Sequence, residues 1–349
     1  MTMEKHLISL DAPLVDAVRA LNSLSGKAMT LFAIDGEGRV AGSLTDGDVR
    51  RAILGGLGLD GEVSRAVNRD FKRLHSDSID LERLRAFRQA GVRLVPVLDG
   101  EGHIVEIIDT ARTRTRLPLR AVLMAGGKGE RLRPLTLTTP KPLLEIGGKA
   151  IIDYNIEALA RCGITDISVT VNYMAEKLEE HFSEERGGVM VKCVREDRPL
   201  GTIGSASLIE FPEEGDTLVM NSDLLTTVSF EDLYLHHRNA GADITIAAVP
   251  YNVSVPYAIL TTDGGRVTSL EEKPSYAYYA NAGIYIISNR LLRGLPKEQR
   301  TDATDLIEEA IASGLHVSYF PISGTWIDIG SPTDFAHARE LMRHHLESD

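Results

Sequence analysis

The residues best placed to do chemistry lie in one run, Ala121-Val-Leu-Met-Ala-Gly-Gly-Lys-Gly-Glu-Arg-Leu-Arg-Pro-Leu-Thr136, followed by Thr139-Pro-Lys-Pro-Leu143. A short apolar strand that ends near Ala125 breaks into a loop holding Gly126, Gly127 and Gly129. This loop presents Lys128, Arg131, Arg133 and, just beyond, Lys141. Backbone without Cβ atoms can press its N–H groups against a phosphate chain, and the cations neutralise charge that those groups do not. The chemistry indicated is a grip on polyphosphate. Spacing excludes two common forms of it. A Walker loop needs G-x-x-x-x-G-K-[ST], and no such register exists around these glycines. A dinucleotide fingerprint needs a third small residue where Glu130, Arg131 and Leu132 stand.

A grip of this kind needs a strand inside a sheet to aim it. Apolar runs predict strands near 119–125, 166–172, 189–194 and 216–221, with helical patterns near 153–162, 174–182 and 202–210. That alternation predicts an α/β fold with a doubly wound, mostly parallel, Rossmann-like sheet and ligands at the carboxyl ends of the strands. Runs at 243–249, 257–260 and 266–271 crowd around Thr262-Asp-Gly-Gly265 and predict an antiparallel excursion. His236 and His237 fall on a helical pattern at 230–240, and His337, His344 and His345 on the last one. No spacing pairs them with carboxylates as a metal site, so a structural role is expected.

The chain has 349 residues, enough for two domains, with 43% hydrophobic and 25% charged residues. No apolar run is long enough to span a bilayer, and the first residues lack a signal-peptide layout, so no membrane partner is expected. Cys162 and Cys193 are too few for a disulfide framework, which makes a reducing, cytoplasmic setting the expectation. The net charge of −12 is uneven: residues 1–115 hold 16 Lys and Arg against 17 Asp and Glu, the remainder 22 against 33. An acidic second half argues against nucleic acid as a partner. An anionic substrate there must be held by a few placed cations and a metal.

A basic, proline-ended segment, Arg112-Thr-Arg-Thr-Arg-Leu-Pro118, reads as a linker between domains at 1–116 and 117–349. The first domain carries an internal repeat of helix, strand, turn and strand. Its mark is Asp35-Gly-Glu-Gly38 recurring as Asp99-Gly-Glu-Gly102. This small α/β half resembles a tandem pair of CBS domains, sensor modules for adenosyl ligands. In that family a G-x-x-[ST]-x-x-D run binds an adenine nucleotide, and it stands here as Gly42-Ser-Leu-Thr45-Asp-Gly-Asp48. The resemblance implies a regulatory nucleotide at Thr45 and Asp48. Thr45 and Asp46 also suit a helix N-cap, so a structural role stays open, as does a dimerisation module for the whole half. A homo-oligomer, dimer or tetramer, is expected.

The pattern G-G-x-G-x-R-L-x-P-L-T then P-K-P resembles the signature of sugar-phosphate nucleotidyltransferases, which join a sugar 1-phosphate to a nucleoside triphosphate and release pyrophosphate. Four further motifs carry the resemblance across 119–345. Glu196-Asp-Arg-Pro-Leu-Gly-Thr-Ile-Gly-Ser205 resembles the loop that edges the nucleobase. Val219-Met-Asn-Ser-Asp223 and Trp326-Ile-Asp-Ile-Gly330 resemble the motifs whose aspartates bind Mg²⁺. Glu271-Glu-Lys-Pro274, with Asn281-Ala-Gly-Ile-Tyr285, resembles the sugar side. The resemblance implies nucleotide contacts at Ala125, Gly126, Gly127, Gly129, Pro199, Leu200, Gly201 and Thr202. It implies triphosphate binding by Arg131 and Lys141, Mg²⁺ on Asp223 and Asp328, and sugar contacts from Glu272, Lys273, Asn281 and Gly283. The resemblance also implies that Lys273 pairs with the sugar phosphate.

Two residues depart from the family pattern: Glu130 replaces a small Thr or Ser, and Ser222 replaces a glycine. Glu130 is expected to point outward. The two-part layout resembles guanylyltransferases that activate amino sugars for bacterial legionaminic acid pathways, which implies GTP and glucosamine 1-phosphate. Mannose and heptose 1-phosphates stay open as acceptors. The competing expectations are dTTP or CTP with glucose 1-phosphate, and a non-catalytic nucleotide-sensing regulator.

Overall fold

The computed structural model describes residues 3–25, 28–77 and 80–346, with backbone only for 344–346. The chain divides into two compact units, Met1–Arg116 and Leu117–Asp349.

The first unit is built twice from one plan. A short strand pairs in parallel with a second, which forms an antiparallel hairpin with a third: Leu7–Ser9, Thr30–Ile34 and Val40–Thr45, then Leu74–His75, Leu94–Leu98 and Ile104–Asp109. Each hairpin turns on an aspartate. Asp35 Oδ1 accepts the N–H groups of Glu37 and Arg39, and Asp99 Oδ1 those of Glu101 and His103, all at 2.9 Å. These backbone donors hold both carboxyls below their ordinary range. Helices Leu14–Ser23 and Leu81–Gln89 each cover one sheet with an apolar stripe. Only the first repeat continues into a helix, Asp46–Leu54, which Thr45 starts with a capping box.

The second unit holds a seven-stranded sheet. Its strands are β1 (Leu119–Met124), β2 (Ile167–Val171), β3 (Lys192–Arg195), β4 (Asp216–Asn221), β5 (Ile244–Ser254), β6 (Ser275–Ser288) and β7 (Val317–Pro321), in the spatial order β3-β2-β1-β4-β6-β5-β7. All run parallel except β6, which is antiparallel to both neighbours. β2 is buried along its whole length, as expected of a parallel strand covered on both faces.

Helices α1 (Ile151–Arg161), α2 (Ala175–His181), α3 (Phe230–Ala240), α4 (Ala303–Ala312) and α5 (Pro332–Leu346) pack around the sheet. One apolar cluster joins Val122, Val219, Ile244 and Ile287 to Leu306 and Ile307 of α4. A second joins Leu132, Leu144, Ile151, Ile327 and Ile329 to α5. Each such side chain contributes about 1.5–3 kcal/mol on burial. The second cluster fixes the segments on either side of Arg131, Lys141 and Asp328.

One expectation needs correction, and another is met and extended. The run at 202–210 forms only a 3₁₀ turn, Gly204–Leu208. The N–H groups of Ile203 and Gly204 both donate to Thr301 O, at 3.1 and 3.0 Å, so the segment is tied to irregular chain far along the sequence. The crowded strands do form a hairpin, Ile259–Asp263 with Arg266–Glu271, but β5 and β6 also run past the sheet together to Ser254 and Ser275. That flap is exposed on both faces.

Candidate active site

A cleft of about 630 Å³ opens at the carboxyl ends of β1, β2 and β4. Met124, Ala125, Gly126 and Gly127 line it as β1 ends. Ala125 is buried and donates its N–H to Thr170 O at 3.0 Å, which continues the β1–β2 ladder into the loop. Gly129 has φ +59, and a Cβ there would lie 2.9 Å from Thr136 Cγ2 and 3.3 Å from Lys141 Cβ. Only glycine permits this fold-back, which brings Lys141 against the loop. Leu132 and Leu144 bury on either side of it. Arg131 lies over Gly330, where a Cβ would come within 3.2 Å of its Nη2. Glu130 is exposed and pairs with Arg133 at 3.4 Å, so it points outward as expected.

Asp223 follows β4, and Asp328 ends a strand, Trp326–Asp328, that pairs antiparallel with Leu224–Thr226. The two carboxylates therefore meet across a short ribbon. Lys141 forms an ion pair with Asp223 Oδ2, and its Nζ lies 3.5 Å from Asp328 Oδ1. Burial pushes the Asp223 carboxyl up, against the pull of the Lys141 charge.

Ser222 adopts an ordinary negative φ, so glycine's freedom is not needed at this position. Instead its N–H and Oγ both donate to Met124 O, at 3.2 and 2.7 Å, which ties the Asp223 turn to the end of β1. Asn155 of α1, buried, donates to the carbonyls on both sides of Asp223: Ser222 O at 3.4 Å and Leu224 O at 2.9 Å.

Two buried atoms of cleft-lining residues, Thr170 Oγ1 and Asp223 Oδ1, have no hydrogen-bond partner. Buried polar atoms are usually completed by protein, ordered water or a bound ion. Asp223 and Asp328 also fit a divalent metal: one carboxylate oxygen lacks a donor, and a cation already sits between the pair. Among the described residues no group of three or more His, Cys, Asp or Glu converges on a point. Two carboxylates with phosphate oxygens and water suit Mg²⁺.

The far wall is the segment after β3. Glu196 is 6% exposed, and its Oε2 accepts the N–H of Leu200 at 3.0 Å. Burial raises its carboxyl above the ordinary range, against hydrogen bonds from Leu200 and Ser205. Gly201 has φ +84, and a Cβ there would lie 2.5 Å from Thr301 O. Thr202 caps no helix of its own. Its Oγ1 instead accepts the N–H of Ala303, at the start of α4, at 2.8 Å. Pro199 and Gly201 line the cleft with Thr202, facing Arg300 and Asp302, while Leu200 is buried behind them.

The sugar-side residues are not gathered into this cleft. Glu272 and Lys273 are exposed on the flap, Lys273 at φ +46. Asn281 Oδ1 accepts the N–H of Gly283 at 2.9 Å, and Trp326 Nε1 donates to Ala282 O at 2.9 Å, which links this strand to the Asp328 motif. In the first unit, the Thr45 N–H and hydroxyl both donate to Asp48 Oδ2, at 2.8 and 2.6 Å. Arg51 takes Oδ1 at 2.5 Å. Of the helix histidines, His237 is buried against Thr245, His236 bonds Ser318 and His337 is exposed, while the side chains of His344 and His345 lie outside the described residues.

Sequence reasoning missed Glu196, Asn155 and Arg300 as site residues. Glu196 had a signal, since it follows a strand end as Asp223 does. Asn155 and Arg300 had none, because their roles depend on contacts made through the fold.

Residues 120–344 match the family model described as nucleotidyl transferase. A mannose-1-phosphate guanylyltransferase catalytic subunit beta from Danio rerio is 32% identical over 226 residues, 62% of each chain. A mannose-1-phosphate guanyltransferase from Neurospora crassa is 34% identical over 227 residues, again 62% of each. The chain thus spans 62% of the length of these relatives. The crystal structure of HddC from Yersinia pseudotuberculosis has a TM-score of 0.51 and 24% identity, covering 64% of this chain and 99% of that one. A second HddC structure, complexed with GMP-PN, has a TM-score of 0.50. At that identity the likeness speaks for the fold, and the match over 120–344 speaks for descent. The glycine loop, the strand-end carboxylates and the sheet that aims them are those of a chain that belongs to the nucleotidyl transferase family.

Proposed function

We propose that the second unit transfers a guanylyl group from GTP to a sugar 1-phosphate and releases pyrophosphate. The observation that carries this reading is the convergence of the glycine loop, Lys141, Asp223 and Asp328 on one cleft. A phosphate oxygen of the sugar 1-phosphate attacks the α-phosphorus; the new P–O bond forms as the bond to the β-phosphate breaks, and pyrophosphate leaves. The attacking oxygen is already anionic at neutral pH, so no general base is required. The chain's task is to overcome repulsion between two anions and hold them in line. Arg131, Lys141 and the N–H groups of Gly126, Gly127 and Gly129 would hold the triphosphate. Asp223 and Asp328 would hold Mg²⁺, which supplies charge neutralisation and a template at the α-phosphate. Lys273, with Glu272, Asn281 and Gly283, would meet the sugar phosphate from the flap.

Guanine is favoured by Glu196. The guanine edge carries two adjacent donors, N1–H and the N2 amino group, which a carboxylate can accept together; no other common base offers that pair. The relatives' names carry guanylyl transfer as well. For the acceptor, glucosamine 1-phosphate and mannose 1-phosphate are the two to separate. We read the first unit as a regulatory, CBS-like module that also supports a homo-oligomer. A concavity of about 510 Å³ lined by Asp48, Arg51, Arg65 and Asn68 supports an anionic nucleotide there.

Pyrophosphate release is the test, measured with GTP, ATP, dTTP, CTP and UTP against glucosamine, mannose and glucose 1-phosphates. Turnover dominated by GTP and abolished in Asp223→Asn is expected. No turnover with any pair would refute the reading.

A further inference from the structure

Lys141 stands where the metal is expected. Its side chain is only 11% exposed, and its ammonium reaches Asp223 and Asp328 at once. We propose that Lys141 is a displaceable occupant of the metal seat, so that the divalent cation enters only together with a triphosphate; this inference rests on the proposed metal role of the two carboxylates.

Charge supports the exchange. Two carboxylates and one ammonium leave a single negative charge. A dication added while the ammonium stays would face a cation at contact distance, so metal alone is held weakly. A triphosphate changes the balance, because its oxygens ligate the metal and also give the ammonium a new partner. Coordination points the same way. The ammonium leaves Asp223 Oδ1 without a donor, whereas Mg²⁺ binds several oxygens in octahedral geometry.

Reach is provided too. Lys141 Cβ is packed beside Gly129, and the residue lines the cleft together with Gly126 and Gly127. Rotation of its flexible four-carbon stem carries the charge from the carboxylates toward the glycine loop without backbone movement. Lys141 thus has two stations, one on the protein and one on the substrate, and the first keeps the carboxylate pair from taking up metal before GTP arrives.

The test is Mn²⁺ binding to the full chain without nucleotide, followed by the electron paramagnetic resonance signal of free Mn²⁺. Lys141→Met and Lys141→Gln are expected to bind Mn²⁺ at least about tenfold more tightly than the wild type. Lys141→Arg, which keeps the charge, should stay weak. A non-hydrolysable GTP analogue should tighten Mn²⁺ binding to the wild type. If the Met and Gln variants bind no more tightly than the wild type while Asp223→Asn removes binding, the inference falls and the metal assignment stands. If no variant binds Mn²⁺ even with the analogue present, both fall.

Discussion

Asn155 offers the sharpest check on how the site is held. Leucine at this position keeps the branched shape and the number of side-chain heavy atoms and deletes both donors, so no cavity forms. The bond to Leu224 O, at 2.9 Å, has good geometry, and that to Ser222 O, at 3.4 Å, is weak. Losing one good buried hydrogen bond costs about 1 kcal/mol, and a carbonyl left without its donor adds about 1–2 kcal/mol. Asn155→Leu should therefore destabilise by about 2–3 kcal/mol, a fall in Tm of roughly 5–10 °C for a unit of this size. Because the two carbonyls flank Asp223, the carboxylate should also lose its aim. The expected result is a fall in kcat of about tenfold or more, with KM for GTP changed less. Thermal melting and steady-state pyrophosphate release on the same preparation give both numbers. A lower Tm with kcat unchanged would make Asn155 a core residue alone and refute its positioning role.

Three further outcomes follow from the geometry. Ser222→Gly restores the residue usual in the family, yet it should destabilise by about 1–2 kcal/mol in urea unfolding, because the Oγ bond to Met124 O is lost and chain entropy is added; a gain in stability would show that glycine's freedom is needed there after all. Gly201→Ala should cost about 2 kcal/mol or more, since its φ of +84 and the 2.5 Å approach to Thr301 O both exclude a Cβ, and wild-type melting of this variant would contradict the described loop. For Glu196, burial raises the folded-state pKa above the ordinary 4.5, so the native state binds the proton more tightly than the unfolded chain; its contribution favours the fold below pH 4.5 and is lost as pH rises through the raised value. Glu196→Gln should therefore be the more stable protein at neutral pH without nucleotide, the difference vanishing in acid, while its preference for GTP falls; equal stability at every pH would remove the burial argument.

The parts of this molecule that the sequence disclosed are those whose cause is local. Strand-to-helix alternation placed the sheet because each buried parallel strand needs its own apolar run, and β2 shows why the run is unbroken. The duplicated turn was legible because Asp35 and Asp99 accept backbone donors two and four residues ahead. The glycine loop was legible because the φ of Gly129 and its contact with Thr136 are fixed within eight residues. Misreadings cluster where a segment answers to chain far away. The pattern at 202–210 has helical character, yet Thr301 O takes the N–H groups of Ile203 and Gly204 first.

That distant anchor says something about how the site works. Between Leu200 and Gly204 the proposed base-side wall makes five backbone or side-chain bonds to residues 301–303. The Thr301 N–H donates to Leu200 O at 2.9 Å, Ile203 and Gly204 donate to Thr301 O, and Thr202 Oγ1 accepts from Ala303. Asp302 Oδ1 accepts the N–H of Thr202 at 2.9 Å as well, while its own N–H is taken by Asp305 in the first turn of α4. The loop that follows β3 is thus clamped to the N-terminus of a helix whose apolar face, through Leu306 and Ile307, is buried in the main core. Such clamping opposes movement of the loop. Glu196, held from below by Leu200 N–H, is presented at a fixed height above Gly126, where a Cβ would come within 2.8 Å of its Oε1. Lys141, which also lines the cleft, sits on a flexible stem, and Lys273 lies outside the cleft on a flap exposed on both faces. Under the proposed function, a rigid base side and a freer phosphate side would let the site select one nucleotide before it brings two anions together.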